Sequence, residues 1–291
     1  MILVTGATGN NGSELVRELS ARGVASRAFV RSRERAQAIA HPCVEIREAD
    51  FDYPETITPI LEGVDRLFLL IPSSENVEEQ QLQFVDAAKR SGVKHIVKLS
   101  QFGASLNSPG RFQRYHAVVE DYIRESGLTY TFLRPNLFMQ GLLNFRSTIA
   151  RRGIFFASAG NARVSAVDVR DIAAVAAQVL TEDGHEDETY ELIGPEALSH
   201  SEMASLLSSA TGMTIKYVDV PLDALRQFLV DLGIPKWQAE GLVEEYAIYR
   251  CGGAAQVTDT VFEVTGTAPR SFSEFAWNYS ETFRSRSSRV A

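Results

Sequence analysis

The sequence predicts an α/β protein: a Rossmann-like, doubly wound parallel sheet with a smaller, mostly helical C-terminal substrate-side domain. Three observations predict it. Short β-branched runs alternate with amphipathic segments through the first half. The turn Gly6-Ala7-Thr8-Gly9-Asn10-Asn11-Gly12 closes the first run and opens the first helix. The run from Asp65 to Ile71 is almost continuously apolar and stops at Pro72, the pattern of a strand buried on both faces.

Taken in order, Ile2 to Thr5 is the first strand. Leu15, Val16 and Leu19 then give the helix Ser13 to Ala21 its apolar face. Ser26 to Arg31 is the second strand, and Ser32 is placed to cap a helix after it. Val44 to Glu48 alternates as a third strand, and Asp65 to Ile71 is the fourth. Helix Val77 to Ser91, strand His95 to Ser100, helix Phe112 to Ser126 and strand Tyr130 to Leu133 follow. Gly153 to Phe156 and Ala162 to Val167 read as short extended pieces. Val169 to Leu180 is an alanine- and valine-rich helix, and Tyr190 to Ile193 a strand returning to the sheet. After Pro195 the chain is mostly helical, with one strand at Ile215 to Val220 and helix starts or turns at Pro235 and Pro269. The Ser/Arg-rich end, Ser285 to Ala291, reads as frayed. The expected division is a dinucleotide-binding domain at 1–150, joined by a returning strand near 189–193, and a substrate-side lid region at 151–291.

Composition excludes several function classes. A net charge of −8 leaves no basic surface for nucleic acid or anionic lipid. No apolar run approaches the length that spans a bilayer, and no charged-then-apolar leader precedes the first strand. Cys43 and Cys251 lie far apart, and no two histidines stand at i, i+3 or i+4, so no metal site is expected. A reducing cytoplasm fits this cysteine usage. The hydrolase elbow Gly-X-Ser-X-Gly is missing. Of the 29 Lys+Arg, only Lys89, Lys94, Lys98, Lys216 and Lys236 are lysine, so none stands between Lys98 and Lys216.

The glycine turn is the strongest functional feature. One glycine permits the tight turn, one lets backbone approach a pyrophosphate, and Gly12 lets helix and strand pack closely. Thr8, Asn10 and Asn11 complete the loop, and the helix N-terminus offers free N–H groups to phosphate. An NAD site would place Asp or Glu about 20 residues further on, against the ribose 2′-OH. Here the second strand ends in Val30-Arg31-Ser32-Arg33. Arg31 stands where a 2′-phosphate would lie and matches it with a planar fork, with Ser32 and Arg33 beside it. The expected cofactor is therefore NADP(H) rather than NAD(H).

These residues, with further blocks, carry a resemblance over nearly the whole chain. The blocks are Val4 to Gly9, Ala49 to Asp52, Gly92 to Val97, Ser126 to Pro135, Val167 to Ala173, Gly233 to Pro235 and Val257 to Val261. The sequence resembles the NmrA-like, atypical short-chain dehydrogenase/reductase family, in its quinone-reductase and triphenylmethane-reductase branch. The resemblance implies that Asp50 and Phe51 flank the adenine. It implies that Leu70, Ile71 and Pro72 line the ribose and pyrophosphate, and that Ser100, Gln101 and Phe102 stand beside the nicotinamide. Pro135, Asn136 and Phe138 would face the same cleft, in line with ligand binding outside the carboxyl ends of parallel strands.

Typical short-chain dehydrogenases carry Tyr-X-X-X-Lys on the helix after the fifth strand. Here that register reads Phe112 to Glu120, with Phe112 in the tyrosine's place and His116 in the lysine's. The quinone-reductase-like branch resembles this chain in having histidine followed by glutamate. His116 and Ser100 are the candidate catalytic residues, and contact with the nicotinamide ribose fits His116 better than proton transfer. Tyr115 lies on another helical face from its neighbour and is not read as the missing tyrosine. A quinone or cationic dye accepts hydride without a protein acid, so proximity and desolvation suffice.

On the substrate side, Leu225, Phe228, Leu229, Leu242 and Tyr249 supply apolar surface, and Trp237 and Tyr246 could face the cleft with Phe102, Asn136 and Phe138. Asp168 and Asp171 read as a cap and first-turn charge. Two readings stand. One is an NADPH-dependent oxidoreductase acting on a small aromatic or quinone-like substrate. The other is a non-catalytic NADP(H)-binding redox sensor. A monomer and a homodimer both remain open.

Overall fold

A computed structural model describes residues 1–284. The frayed end expected at 285–291 lies outside the described residues. In chain order the first elements are β1 (Ile2–Val4), α1 (Asn10–Ala21), β2 (Ser26–Val30), β3 (Val44–Glu48), α2 (Ile57–Ile60) and β4 (Arg66–Leu69). Then come α3 (Val77–Arg90), β5 (His95–Leu99), α4 (Arg111–Ser126) and β6 (Thr129–Pro135). They are followed by α5 (Arg146–Arg152), β7 (Ile154–Ala157), β8 (Arg163–Val164), α6 (Val169–Thr181), β9 (Glu188–Leu192) and β10 (Leu198–Ser199). The last are α7 (His200–Thr211), β11 (Lys216–Asp219), α8 (Leu222–Asp231), α9 (Lys236–Arg250), α10 (Thr260–Thr265), α11 (Phe272–Asn278) and α12 (Ser280–Arg284).

The chain forms two compact units. The first comprises Met1–Pro135, Val169–Leu192 and Glu263–Gly266. Its sheet has seven strands in the order β3-β2-β1-β4-β5-β6-β9, all paired in parallel. This is the Rossmann-like doubly wound arrangement, whose order reverses between β1 and β4. Strands β1, β2 and β5 are buried along their whole length, which is why their sequences lack a polar alternation. The helices pack in pairs, α1 with α6 and α3 with α4. Thr5 ties the reversal point together: its hydroxyl donates to the carbonyls of Phe68 and Leu70 and accepts from the Leu70 amide at 2.7 Å.

One local expectation fails here. Ser32 caps no helix. The segment after β2 is a 3-10 turn at Glu34–Ile39 entered through Arg33, with no side-chain cap bond. Arg33 already holds right-handed helical angles, φ −62° and ψ −31°. The extended residue from which a capping side chain turns back is therefore missing.

Among the described residues the second unit comprises Asn136–Asp168, Ile193–Phe262 and the chain from Thr267 on. Two small sheets, β7 with β11 in parallel and β8 with β10 antiparallel, sit among its helices. Ile149, Phe155, Leu207, Phe272, Phe275 and Phe283 fill its core. Backbone approaches backbone so closely at Gly194 that a Cβ there would stand 1.7 Å from the Ala166 carbonyl oxygen. Leu225 and Leu229 of α8 pack on Ala239 and Val243 of α9, which starts at Pro235 as expected.

Candidate functional site

A cleft of about 600 Å³ opens in the first unit where β1, β2 and β4 end. Its floor is the glycine turn. Gly6 holds φ +61°, and a Cβ on it would press within 3.0 Å of the Leu70 carbonyl oxygen and closer still to the Leu70 side chain. The Gly9 amide donates to the Gly6 carbonyl at 2.9 Å, and α1 starts at the next residue with no side-chain cap and no acidic residue in its first turn. The first-turn N–H groups are thus left to an anion. A Cβ on Gly12 would lie 2.2 Å from the Gly6 oxygen. Asn11 is buried in the same loop with no partner for its side-chain oxygen. Bare backbone and the first-turn amides together make a cradle that fits a pyrophosphate.

Of the residues expected at a cofactor, Gly6, Thr8, Gly9, Arg31, Asp50, Phe51, Leu70, Ile71 and Pro72 line this cleft. Arg31 is exposed at its rim and makes no ion pair among the described residues. Phe51 stacks on Phe29 with ring centroids 4.3 Å apart, and both edge the cleft. Asn10, Asn11 and Gly12 lie in the turn beneath it, and Ser32 and Arg33 just past β2. Sequence reasoning missed Phe29, Asp52, Ser73, Ser74, Asn76 and Gln80, which also line it. Gln80 donates to Asp52 at 2.7 Å, closing one rim. Apart from Phe29, which lies inside β2, these are loop and helix-start positions that carry no periodic pattern of their own.

At the ends of β5 and β6, Ser100 and Pro135 are buried, and the Phe102 amide donates to the Pro135 carbonyl at 2.9 Å. Gln101 and Phe102 are half-buried beside them. The Ser100 hydroxyl is already engaged, donating to Glu120. Glu120 is fully buried and also receives the Arg134 guanidinium as a two-bonded fork, together with Arg124 at 3.3 Å. Glu120 in turn holds the Arg134 guanidinium further above its already high range.

His116 stands one turn earlier on α4. Its Nδ1 lies 2.6 Å from the Nζ of Lys98, a fully buried lysine on β5. Burial pulls the Lys98 ammonium from 10.5 down to about 7, opposed by the Glu120 carboxylate and aided by Arg134. Burial, then Lys98, then Arg134 hold His116 well below the usual histidine range, so its ring is neutral. The Tyr115 and His116 rings are tilted against each other with centroids 4.2 Å apart, and the Tyr115 hydroxyl meets that of Ser73 at 3.2 Å. Lys98 was missed by sequence reasoning, although one lysine inside the run His95-Ile96-Val97-Lys98-Leu99 is itself an anomaly.

In the second unit an apolar pocket of about 420 Å³ is walled by Phe138, Phe145, Phe155, Phe156, Phe228 and Tyr246, among others. His200 lines it as well and was not foreseen. Burial holds His200 down to about 4, so it stays neutral. Of the residues expected at a substrate, Phe138 and Tyr246 line this pocket and Trp237 does not. The Asn136 amide is spent on Ser165 and on the Ala254 carbonyl, at 2.9 and 3.0 Å. Phe102 belongs to the first unit. Asp168 is fully buried and accepts from Gln140 at 2.8 Å. No group of acidic, histidine or cysteine side chains among the described residues could hold a metal ion, and no described helix is long and apolar enough to cross a membrane.

Comparison with known proteins adds relatives. A model described as the NmrA-like family matches residues 1–276. An NAD(P)H azoreductase of Xenophilus azovorans is 38% identical over 97% of this chain and 99% of its own. An NADPH-dependent quinone oxidoreductase of Escherichia coli, solved with NADPH, superposes with a TM-score of 0.85 at 28% identity, covering 96% of this chain and 99% of that one. A triphenylmethane reductase of Citrobacter, solved with NADP(H), gives 0.84 at 30% identity, covering 96% of this chain and 100% of that one.

Proposed function

Since the chain belongs to the NmrA-like family, we propose that it is an NADPH-dependent oxidoreductase that reduces a quinone-like or polycyclic aromatic compound by direct hydride transfer. The observation that carries this reading is the glycine-floored cleft with Arg31 at its rim, free of any ion pair among the described residues. NADPH, when bound, supplies the hydride. The protein's residues bind and orient. The glycine turn and the first turn of α1 receive the pyrophosphate, and Arg31 forks the 2′-phosphate. Asp50 and Phe51 flank the adenine, while Leu70, Ile71 and Pro72 line the middle of the cofactor. Ser100, Gln101, Phe102, Pro135 and His116 belong to its nicotinamide half.

The register that would hold Tyr-X-X-X-Lys holds Phe112 and His116 instead. A quinone or cationic dye takes up hydride at no cost in protein acid, and the reduced anion of a quinone takes its proton from water. The aromatic pocket of the second unit, with a neutral His200 in its wall, has the composition to hold a flat apolar acceptor. Purified protein scanned for NADPH oxidation with quinones, azo dyes, triphenylmethane dyes and aromatic ketones tests this. Turnover with quinones or dyes supports it. Tight NADPH binding with no oxidation across the panel favours the second reading, a non-catalytic redox sensor, for which the missing Tyr–Lys pair speaks.

Cofactor choice is a separate expectation. Arg31→Ala should weaken NADPH binding by about 10- to 100-fold, the size of a lost charge-assisted contact, and leave NADH binding unchanged. Titration of cofactor fluorescence reads both constants. Equal losses for the two cofactors would remove Arg31 from the 2′-phosphate.

A further inference from the structure

The helix position that usually holds lysine holds His116, yet a lysine reaches the same place from the sheet. Lys98 projects from β5, between its β4 partner Leu69 and its β6 partner Phe132. Its Nζ has two neighbours that can accept a hydrogen bond: the His116 Nδ1 at 2.6 Å and the Leu99 carbonyl at 3.3 Å. Lysine has no acceptor in its ammonium form, so the bond to Nδ1 runs from lysine to histidine. An Nδ1 that accepts must be unprotonated, and a neutral imidazole then carries its single proton on Nε2. Among the described residues the ring makes no other hydrogen bond.

We propose that Lys98 is a positioning residue that fixes His116 as the neutral Nε2–H tautomer, turning its outer nitrogen into an obligatory donor. The charged groups facing Lys98 are Glu120 from α4 and Arg134 from β6. Glu120 favours the ammonium, and Arg134 disfavours a second cation on His116. Near pH 7 the lysine loses its proton, and the neutral amine, with two N–H bonds and a lone pair, can either donate to Nδ1 or accept from it. The ammonium therefore imposes the tautomer below that titration. A ribose hydroxyl oxygen can accept a hydrogen bond from such a donor. This consequence rests on the placing of His116 in the nicotinamide half, while the tautomer itself does not.

The test is a long-range nitrogen–proton correlation spectrum of the protein with labelled histidine, free of cofactor. The expected His116 pattern is a bare Nδ1 and a protonated Nε2 at about pH 6, where Lys98 is an ammonium and His116 is above its depressed range. A protonated Nδ1 in the unaltered protein at that pH overturns the proposal without any variant. In Lys98→Met the ring should become a mixture of tautomers and titrate closer to the ordinary histidine range. An unmoved His116 spectrum in that variant also overturns the proposal. NADPH affinity separates the second question. Lys98→Met and His116→Phe should each weaken binding about 10-fold, and the double variant no further. A shifted spectrum with unchanged NADPH affinity would uphold the tautomer and refute the placing of His116 at the cofactor.

Discussion

Glu120→Ala is expected to cost about 3–5 kcal/mol of folding stability, the range for breaking a buried ion pair by removing one partner. The side chain is fully buried, and both oxygens are in use. One accepts from Ser100 and from the Arg134 Nε at 3.0 Å, the other from the far arm of Arg134 and from Arg124. Alanine would leave the Arg134 guanidinium, only 19% exposed, without its counter-charge. The Ser100 hydroxyl would lose its acceptor at the end of β5. It would also take away the one group that raises the Lys98 ammonium, so Lys98 should titrate below its present value of about 7. Arg124 is spared the worst, being more exposed and lying over the Phe132 ring at 4.8 Å. Urea denaturation of Glu120→Ala beside Glu120→Gln reads the effect. The amide keeps two of the contacts and should lose less. A change under about 1 kcal/mol for alanine would mean that water or a shifted side chain already satisfies Arg134.

This cluster also marks the limit of what the sequence discloses. The parallel sheet was legible because burial on both faces forces near-continuous apolar runs, as in Leu67 to Ile71. The phosphate turn was legible because its glycines answer a backbone requirement that no other residue meets. Arg31 could be placed because it follows a strand end by a fixed offset. Lys98, Glu120 and Arg134 were different. Glu120 and Arg134 alone look like solvated charges, Lys98 stands out only as a charge in an apolar run, and only the sheet and α4 together bring the three to one point. The Ser32 cap failed because the following segment tightens into a 3-10 turn, a choice that local residue types leave open. The pocket of the second unit draws Phe138 and Phe228 from segments ninety residues apart in the chain, so no spacing rule could assemble it.

Gly12→Ala should weaken NADPH binding by at least about 100-fold, equivalent to about 2.7 kcal/mol, and lower the melting temperature as well. One methyl group is enough because everything it meets is backbone. The added Cβ would stand 2.2 Å from the Gly6 oxygen, 2.6 Å from the Gly6 carbonyl carbon and 2.8 Å from the Ala7 Cα. No rotamer change relieves such contacts, so α1 and the turn must separate. The turn is held on its other side: Gly9 bonds back to Gly6, and Thr5 clamps β1 to the end of β4. Movement therefore falls on the start of α1, where the amides that would receive phosphate are. Gly141 supplies the control, since a Cβ there meets nothing within 4 Å and its φ is ordinary. Gly141→Ala should leave cofactor affinity unchanged. If Gly12→Ala bound NADPH within threefold of the unaltered protein, the pyrophosphate would have to sit away from the turn, and the cleft at the ends of β1 and β4 would lose its assignment.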